Sequence, residues 1–244
     1  MTTQFRFHWR PNWKILVFAL LFLPLTLRLG FWQLQRADEK AAMLSMYNAR
    51  QQAQPQPFDT IDHASDRQYL PVNLNFTRTN FPLLLLDNRV RMGKPGYEVL
   101  ELVKSAQGLI LVNRGWLATG LDRQQLPEVA ALEERQLSGY LYQSPGKQIM
   151  LGPDNWPTDK PVAVIQNGSP SAVANRLGIE IYPYQLRLNE SKQGLQAEWP
   201  VVNLRPAKHT GYAVQWFAMA FLLLVLTVFA NSNLAQLFQR KSQE

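Results

Sequence analysis

The sequence predicts a membrane α+β protein in which two transmembrane helices form a hairpin at the chain ends and enclose one β-rich domain. Two uncharged apolar runs lie near the ends of the chain, at 15–27 and 212–230. Between them, short apolar stretches alternate with polar turns, the pattern of β-strands. The chain of 244 residues is long enough for one ordinary domain in addition to the two spans.

Charge and composition exclude several classes of function. The net charge of +7 comes from basic residues that are scattered along the chain, without basic clusters interleaved with aromatics and without zinc-finger spacing. Nucleic acid is therefore not predicted as a partner. The chain has no cysteine, which excludes disulfides, thiol catalysis and thiolate metal sites.

The first element is predicted to be a transmembrane helix over 13–32, preceded by a cytoplasmic amino terminus over 1–12. Three basic residues precede or open this segment, and the sequence after it, RLGFWQLQR, lacks a small-x-small cleavage site. An uncleaved anchor is therefore favoured over a signal peptide. A helix over 13–32 is about 30 Å long, which matches the hydrocarbon core of a bilayer.

The second span is predicted over 209–231, followed by a cytoplasmic tail over 232–244. Two spans place both termini on one side and the domain over 33–208 on the other. The first fourteen residues carry three basic side chains and no acid, which favours a cytoplasmic amino terminus and a periplasmic domain. Four basic residues flank the spans on the opposite side and weaken this rule: Arg28, Arg36, Arg205 and Lys208.

Within the domain, the sequence predicts a helix that continues beyond the first span, followed mainly by antiparallel strands. Residues 33–54 are rich in good helix formers and contain no Gly or Pro. A capping serine and a terminal glycine predict a short helix over 169–178. Strands are predicted in a meander over 81–103 and 108–117, and then at 135–143, 161–167 and 181–189.

The domain offers no convincing catalytic set, so an enzyme is not predicted. His63 stands near Asp62 and Asp66, but one histidine with two nearby carboxylates in a polar stretch is more typical of a solvated turn than of a metal site. Phosphate-binding glycine motifs are absent from the sequence, and the serines of NGSPS lack the strand–turn–helix context of a nucleophile.

The start of the second span carries a possible ligand. At helical spacing, His209 shares a face with four residues, two of them aromatic and two small: Tyr212, Ala213, Trp216 and Ala220. A neutral imidazole is a metal ligand and an axial ligand for haem iron, and small residues admit either a second helix or a flat ligand. A histidine here could equally cap the helix or meet lipid headgroups.

The end of the first span carries a basic and aromatic face. Arg28, Trp32 and Gln35 share this face, and Arg36 lies one turn beyond Trp32. Together with Arg205 and Lys208, these residues predict a basic collar where the helices leave the membrane. Such a collar could pair with haem propionates through charge-assisted hydrogen bonds or with the phosphates of membrane lipid, and the sequence leaves both open.

Three motifs in order resemble the Surfeit-locus protein 1 family of cytochrome c oxidase assembly factors. They are GFWQLQR (30–36) with the following Lys40, LVNRGWL (111–117) and HTGYAVQWF (209–217). The resemblance covers nearly the whole chain. It implies a non-enzymatic protein of an inner membrane that helps to place haem in oxidase subunit I.

The resemblance also implies a site. His209 matches a histidine that is implicated in haem a binding in bacterial members, which makes transient haem a the expected cofactor and His209 the expected metal ligand. Five further residues are expected to contact the haem: Tyr212, Trp216, Arg28, Trp32 and Arg36. The chain departs from the family pattern at Thr210, Gly211 and Gln215, so haem affinity or type could differ.

The expected partners are cytochrome c oxidase subunit I, haem A synthase and membrane lipid. Twelve residues precede Trp13, too few for a mitochondrial presequence, so the bacterial inner membrane is the expected location. A haem-independent scaffold for oxidase subunits is the alternative function. Arg114, Gly115 and Trp116 are expected to be structural, with the glycine in a strand-end turn and the indole in the core.

Overall fold

The computed structural model describes residues 7–62, 66–120, 125–144, 154, 156–191 and 194–234. Its chain divides into two compact units, one formed by Met1–Ser45 with Val201–Glu244 and the other by Met46–Pro200. The described α-helices are α1 (Trp13–Gln51), α2 (Pro170–Leu177) and α3 (Pro206–Ala230).

In the first unit, α1 and α3 are long and apolar enough to cross a membrane. Their most apolar windows have mean hydropathies of 2.1 and 2.2. Helix α1 continues to Gln51 without a break, which confirms the predicted helical extension beyond the apolar run. Helix α3 begins at Pro206, in the first turn, where the missing N–H of proline costs nothing.

The two long helices are antiparallel, because the start of α1 is tied to the end of α3. The backbone N–H of Arg10 donates to the Asn231 carbonyl at 2.6 Å. The N–H of Asn12 donates to the Asn231 side-chain oxygen at 2.5 Å. Further along the pair, the rings of Phe31 and Phe217 meet edge to face, with centroids 5.2 Å apart.

The described residues of the second unit form one nine-stranded sheet in the order β1-β2-β7-β9-β6-β5-β4-β8, with β3 paired to β5. The strands are β1 (Gln56–Pro57), β2 (Pro71–Asn75), β3 (Thr77–Arg78), β4 (Leu83–Arg91), β5 (Lys94–Ser105), β6 (Gly108–Ala118), β7 (Gln136–Tyr142), β8 (Val162–Ile165) and β9 (Gln185–Leu188).

The predicted meander is confirmed, since β4, β5 and β6 pair antiparallel in succession. The sheet as a whole is mixed, because β1–β2, β4–β8 and β6–β9 are parallel pairs. Strand β2 and the two-residue strands β1 and β3 were not predicted. Helix α2 confirms the predicted short helix: Ser169 Oγ accepts from the Ala172 N–H, and Gly178 adopts the left-handed region with φ 67°.

Both faces of the sheet are covered by apolar side chains. One cluster joins Phe58 and Tyr182 to inward residues of β2, β6, β7 and β9. A second contains Val173 of α2 and Trp156 together with residues of β4, β5 and β6. Adjacent residues of β6 belong to different clusters, Val112 to the first and Leu111 to the second, as expected for a strand buried on both faces.

Candidate functional site

His209 is held by a glutamine of the other long helix. Its Nδ1 lies 2.8 Å from Oε1 of Gln33, and both side chains are half-buried. An amide oxygen can only accept a hydrogen bond, so Nδ1 carries the proton and donates it. In the neutral imidazole this leaves the lone pair on Nε2, the arrangement found in histidines that bind metals through Nε2.

The lengths of the two helices place these two side chains at the same level. Gln33 lies twenty residues after Trp13, and His209 lies twenty-one residues before Ala230. At 1.5 Å per residue both are about 30 Å from the end at which Asn12 and Asn231 are joined. The pair therefore stands about one hydrocarbon thickness away from that end.

The His209 face of α3 is turned toward α1. Ala213 and Ala220 lie on this face and are buried. Beside them, the ring of Phe217 lies so close to Gly30 that a β-carbon added there would be 2.6 Å from the ring. The small residues of this face therefore accommodate the neighbouring helix. Of the two aromatics expected at the site, Trp216 is half-buried and Tyr212 is 44% exposed.

Of the three residues of α1 that were expected at the site, two lie away from Gln33. Arg28 and Trp32 are exposed and, at 100° per residue, lie on the side roughly opposite Gly30 and Gln33. Arg36 pairs with Glu39 one turn later, at 2.5 Å. The structure thus brings His209 together with Gln33, but it does not bring Arg28 or Trp32 to that contact.

Gln33 was missed by sequence reasoning, which singled out Gln35 on another face. The distance of Gln33 from the start of its helix could have indicated it. In an antiparallel pair joined at one end, residues equally distant from that end lie at the same level, and Gln33 is the polar residue of α1 at the level of His209.

In the second unit, Arg114 is buried, with 2% of its surface exposed. Its Nη1 donates to the Glu101 carboxylate at 2.8 Å and its Nη2 donates to the Ala130 carbonyl at 2.7 Å. Burial lowers the pKa of the Arg114 guanidinium, and Glu101 opposes this shift. These contacts give Arg114 a structural role in the domain.

The expected strand-end turn at Gly115 is wrong, because this glycine lies inside β6. The register with β5 shifts there, and the Gly115 φ of 135° is one that other residues rarely adopt. The indole of Trp116 is buried, as expected, and its Nε1 donates to the Arg89 carbonyl at 2.7 Å. The physical reason for the glycine is therefore a bulge within the strand.

Among the described residues, no group of three or more His, Asp or Glu side chains could hold a metal ion. Asp66, expected to lie in a solvated turn, accepts a hydrogen bond from Arg50 Nη2 at 3.2 Å. His63 lies outside the described residues. His209 is thus a single ligand-capable side chain that is oriented by one neighbour.

The chain was compared with protein families and with curated proteins. The sequence model of the SURF1 family matches residues 20–221, which is more than half of the chain and includes Gln33 and His209. A search of the curated proteins found no match.

Proposed function

Because the chain belongs to the SURF1 family, whose members are associated with cytochrome oxidase assembly, we propose that it binds haem a and aids its insertion into oxidase subunit I. In this proposal both long helices cross the bacterial inner membrane, and the β-rich domain over 33–208 is periplasmic. The partners are subunit I, haem A synthase, which would hand over the haem, and membrane lipid. The protein acts by binding and release, without catalysis.

The observation that carries the proposal is the hydrogen bond between His209 and Gln33. Because Nδ1 donates to Gln33, the Nε2 lone pair of the neutral imidazole remains for a ligand. The Gln33 oxygen also fixes the ring plane of the imidazole. The residues at this site fit haem, because His209 would hold its iron through Nε2 while Gln33 keeps the ring in place.

Other side chains near His209 would contact the macrocycle. Trp216 shares its face of α3, and Tyr212 is exposed one turn from it, so the two rings offer apolar surface to a porphyrin. Arg28 and Trp32 lie on other faces of α1 than Gln33, and they would bind the haem propionates only from those faces. Arg36 lies one turn after Gln33 and would bind them from that side. Haem a, when bound, supplies an iron with a free coordination position. One protein ligand favours reversible binding, which delivery to another protein requires.

The absorption spectrum of the detergent-purified protein, co-produced with the enzymes that make haem A, tests this function. We expect a haem band in the wild type and its loss in His209→Ala. His8→Ala is the matched control, because His8 is an exposed histidine at the other end of the helix pair. Gln33→Leu should retain His209 as the ligand but shift the band. It should weaken haem binding roughly 10- to 100-fold, the usual cost when a metal-binding histidine loses its hydrogen-bond partner.

Two outcomes would contradict the proposal. Equal bands in the wild type and His209→Ala would place the ligand elsewhere. Absence of a band from folded wild-type protein, with oxidase assembly still dependent on the chain, would establish the alternative of a haem-independent scaffold for the oxidase subunits.

A further inference from the structure

The hairpin that joins β4 to β5 has an unusual residue at its tip. Arg91 pairs with Lys94, so the turn consists of Met92 and Gly93, and both have positive φ, 49° and 75°. Positive φ at both central residues defines a type I′ turn, where Asn-Gly or Asp-Gly is preferred. A methionine at the first position is strained, since left-handed backbone brings Cβ close to the next carbonyl.

The strained methionine makes little contact with the described part of the chain that would offset its cost. Met92 is 85% exposed, and Val90 on the same hairpin is 66% exposed. Lys94, across the turn, is exposed as well. A large apolar side chain that is kept in solvent at a strained position suggests a function outside the fold.

The base of the hairpin is rigidly attached to the segment that leads toward α3. The Arg91 guanidinium lies 5.8 Å from the ring centre of Trp116 and 5.1 Å from that of Trp199. Arg91 Nη1 also donates to the Gln196 carbonyl at 3.1 Å. The Arg187 guanidinium makes the same kind of contact, 4.7 Å from the ring centre of Trp199 and 3.4 Å from that of Tyr142. The hairpin tip is thus presented from a fixed support.

The support is positively charged and incompletely paired. Arg91 Nη2 and Arg187 Nε are buried nitrogens that have no hydrogen-bond partner within the described chain. Of the two acids that act on Arg91, Glu98 already accepts from Asn113 and approaches Arg89 at 4.0 Å, and Glu198 is exposed. Burial lowers the pKa of Arg91, Glu98 opposes this and Arg187 adds to it. At the tip itself Lys94 is an exposed cation, which an anionic surface would complement.

We propose that the tip of the β4–β5 hairpin, residues 90–94, docks on an anionic lipid surface. Met92 and Val90 enter the headgroup region, and Lys94 meets lipid phosphates. A lipid surface is favoured over a protein because the supporting residue Trp199 precedes Pro206, the start of an apolar helix, by seven residues, at most about 24 Å of extended chain. The inference rests on the membrane placement proposed above.

The absence of cysteine from the chain makes single-site labelling a direct test. Full-length Met92→Cys, Asn175→Cys and Leu222→Cys would each carry an environment-sensitive fluorophore, in nanodiscs of phosphatidylcholine with or without phosphatidylglycerol. Asn175 is an exposed residue of α2, and Leu222 is an exposed residue of α3. Quenching by brominated lipid and by water-soluble acrylamide would be compared at the three sites.

We expect the label at 92 to be quenched by brominated lipid and protected from acrylamide when phosphatidylglycerol is present, and the label at 175 to show the reverse. Lys94→Gln should reduce the lipid quenching at 92. With the label at Val90→Cys, Met92→Asn should loosen lipid contact while it raises the melting temperature, because asparagine suits the turn.

Failure of the inference and failure of the membrane placement give different results. A label at 222 that brominated lipid does not reach would overturn the placement and the inference with it. A label at 222 in lipid, with the label at 92 as water-accessible as that at 175, would overturn the hairpin inference alone. Shielding at 92 that requires oxidase subunits would replace lipid by a protein partner and also overturn it.

Discussion

Arg114 and Glu101 form an ion pair that is almost removed from water. Only 2% of the Arg114 side chain and 15% of the Glu101 side chain are exposed. Taking both charges out of water is costly, and the cost is tolerated because each charge meets the other at 2.8 Å. Removal of Arg114 leaves the nearly buried Glu101 carboxylate without its ion-pair partner, so this position is sensitive to substitution.

Arg114→Met is therefore expected to destabilise the domain by about 3 kcal/mol, the lower end for breaking a buried ion pair. Denaturant unfolding of the detergent-solubilised protein, followed by tryptophan fluorescence, measures this. Arg176→Met is the control, since Arg176 is exposed and donates to the Trp156 carbonyl, and it should cost less than about 1 kcal/mol. Equal losses in the two variants would refute the assignment, and Glu101→Leu should partly restore Arg114→Met.

At the residue scale, sequence reasoning found the histidine but not its partner. His209 stands out as an imidazole next to an uncharged run, a local signal. Gln33 is an ordinary residue in its own helix, and it matters only because an antiparallel neighbour brings His209 to it. The buried role of Arg114 has the same origin, since its contacts with Glu101 and Ala130 depend on a strand pairing and a loop.

At the scale of elements, the two long helices approach closely where Gly30 meets Phe217. A side chain at position 30 would overlap the Phe217 ring, since even Cβ would lie 2.6 Å from it. This approach lies one helical turn from Gln33 on α1 and two turns from His209 on α3. The distance between the helices at Gly30 therefore controls whether the two polar side chains can meet.

Oxidative cross-linking of Gln33→Cys with His209→Cys measures that approach. We expect Gly30→Val to lower the cross-linking rate roughly tenfold, since overpacking costs about 1–3 kcal/mol, and a further Phe217→Ala to restore it. Arg28→Cys with His209→Cys is the control and should not cross-link, because Arg28 lies on another face of α1. Unchanged cross-linking in Gly30→Val would show that the helices do not depend on this glycine.

The elements differ in how far the sequence predicts them. The meander β4–β5–β6 follows from local alternation and short turns, and α2 follows from Ser169 and Gly178. The parallel pairs β4–β8 and β6–β9 join strands that are far apart in sequence, and local patterns do not encode such pairings. Strands β1 and β3 have two residues each, too few to carry a period.

At the scale of the whole molecule, the ties between residues 8–12 and 231–233 mean that the two ends of the helix pair are together. Both chain ends must then lie on one side of any membrane that the pair crosses. This requirement holds for either orientation, and in the proposed function the basic amino-terminal segment favours the cytoplasmic side for both ends.

A membrane-impermeant maleimide distinguishes the orientations in intact bacterial cells. Asn175→Cys in the domain should react from outside once the outer membrane is permeabilised, whereas Arg10→Cys should react only after lysis. Both residues are exposed, so burial does not bias the comparison. The reverse pattern would place the domain in the cytoplasm, and labelling of both sites before lysis would contradict a two-span hairpin.

The support of the β4–β5 hairpin also has a mechanical consequence. Gln196 and Trp116 exchange two backbone hydrogen bonds, at 2.9 and 2.8 Å, and the Trp199 ring meets two guanidinium groups. A pulling force that enters the domain at Val201 is therefore passed by this clasp to β6 at Trp116 and to β9 at Arg187. The load is then shared by two neighbouring strands of the sheet, and the segment can be pulled away only if both hydrogen bonds and the Trp199 contacts are lost together.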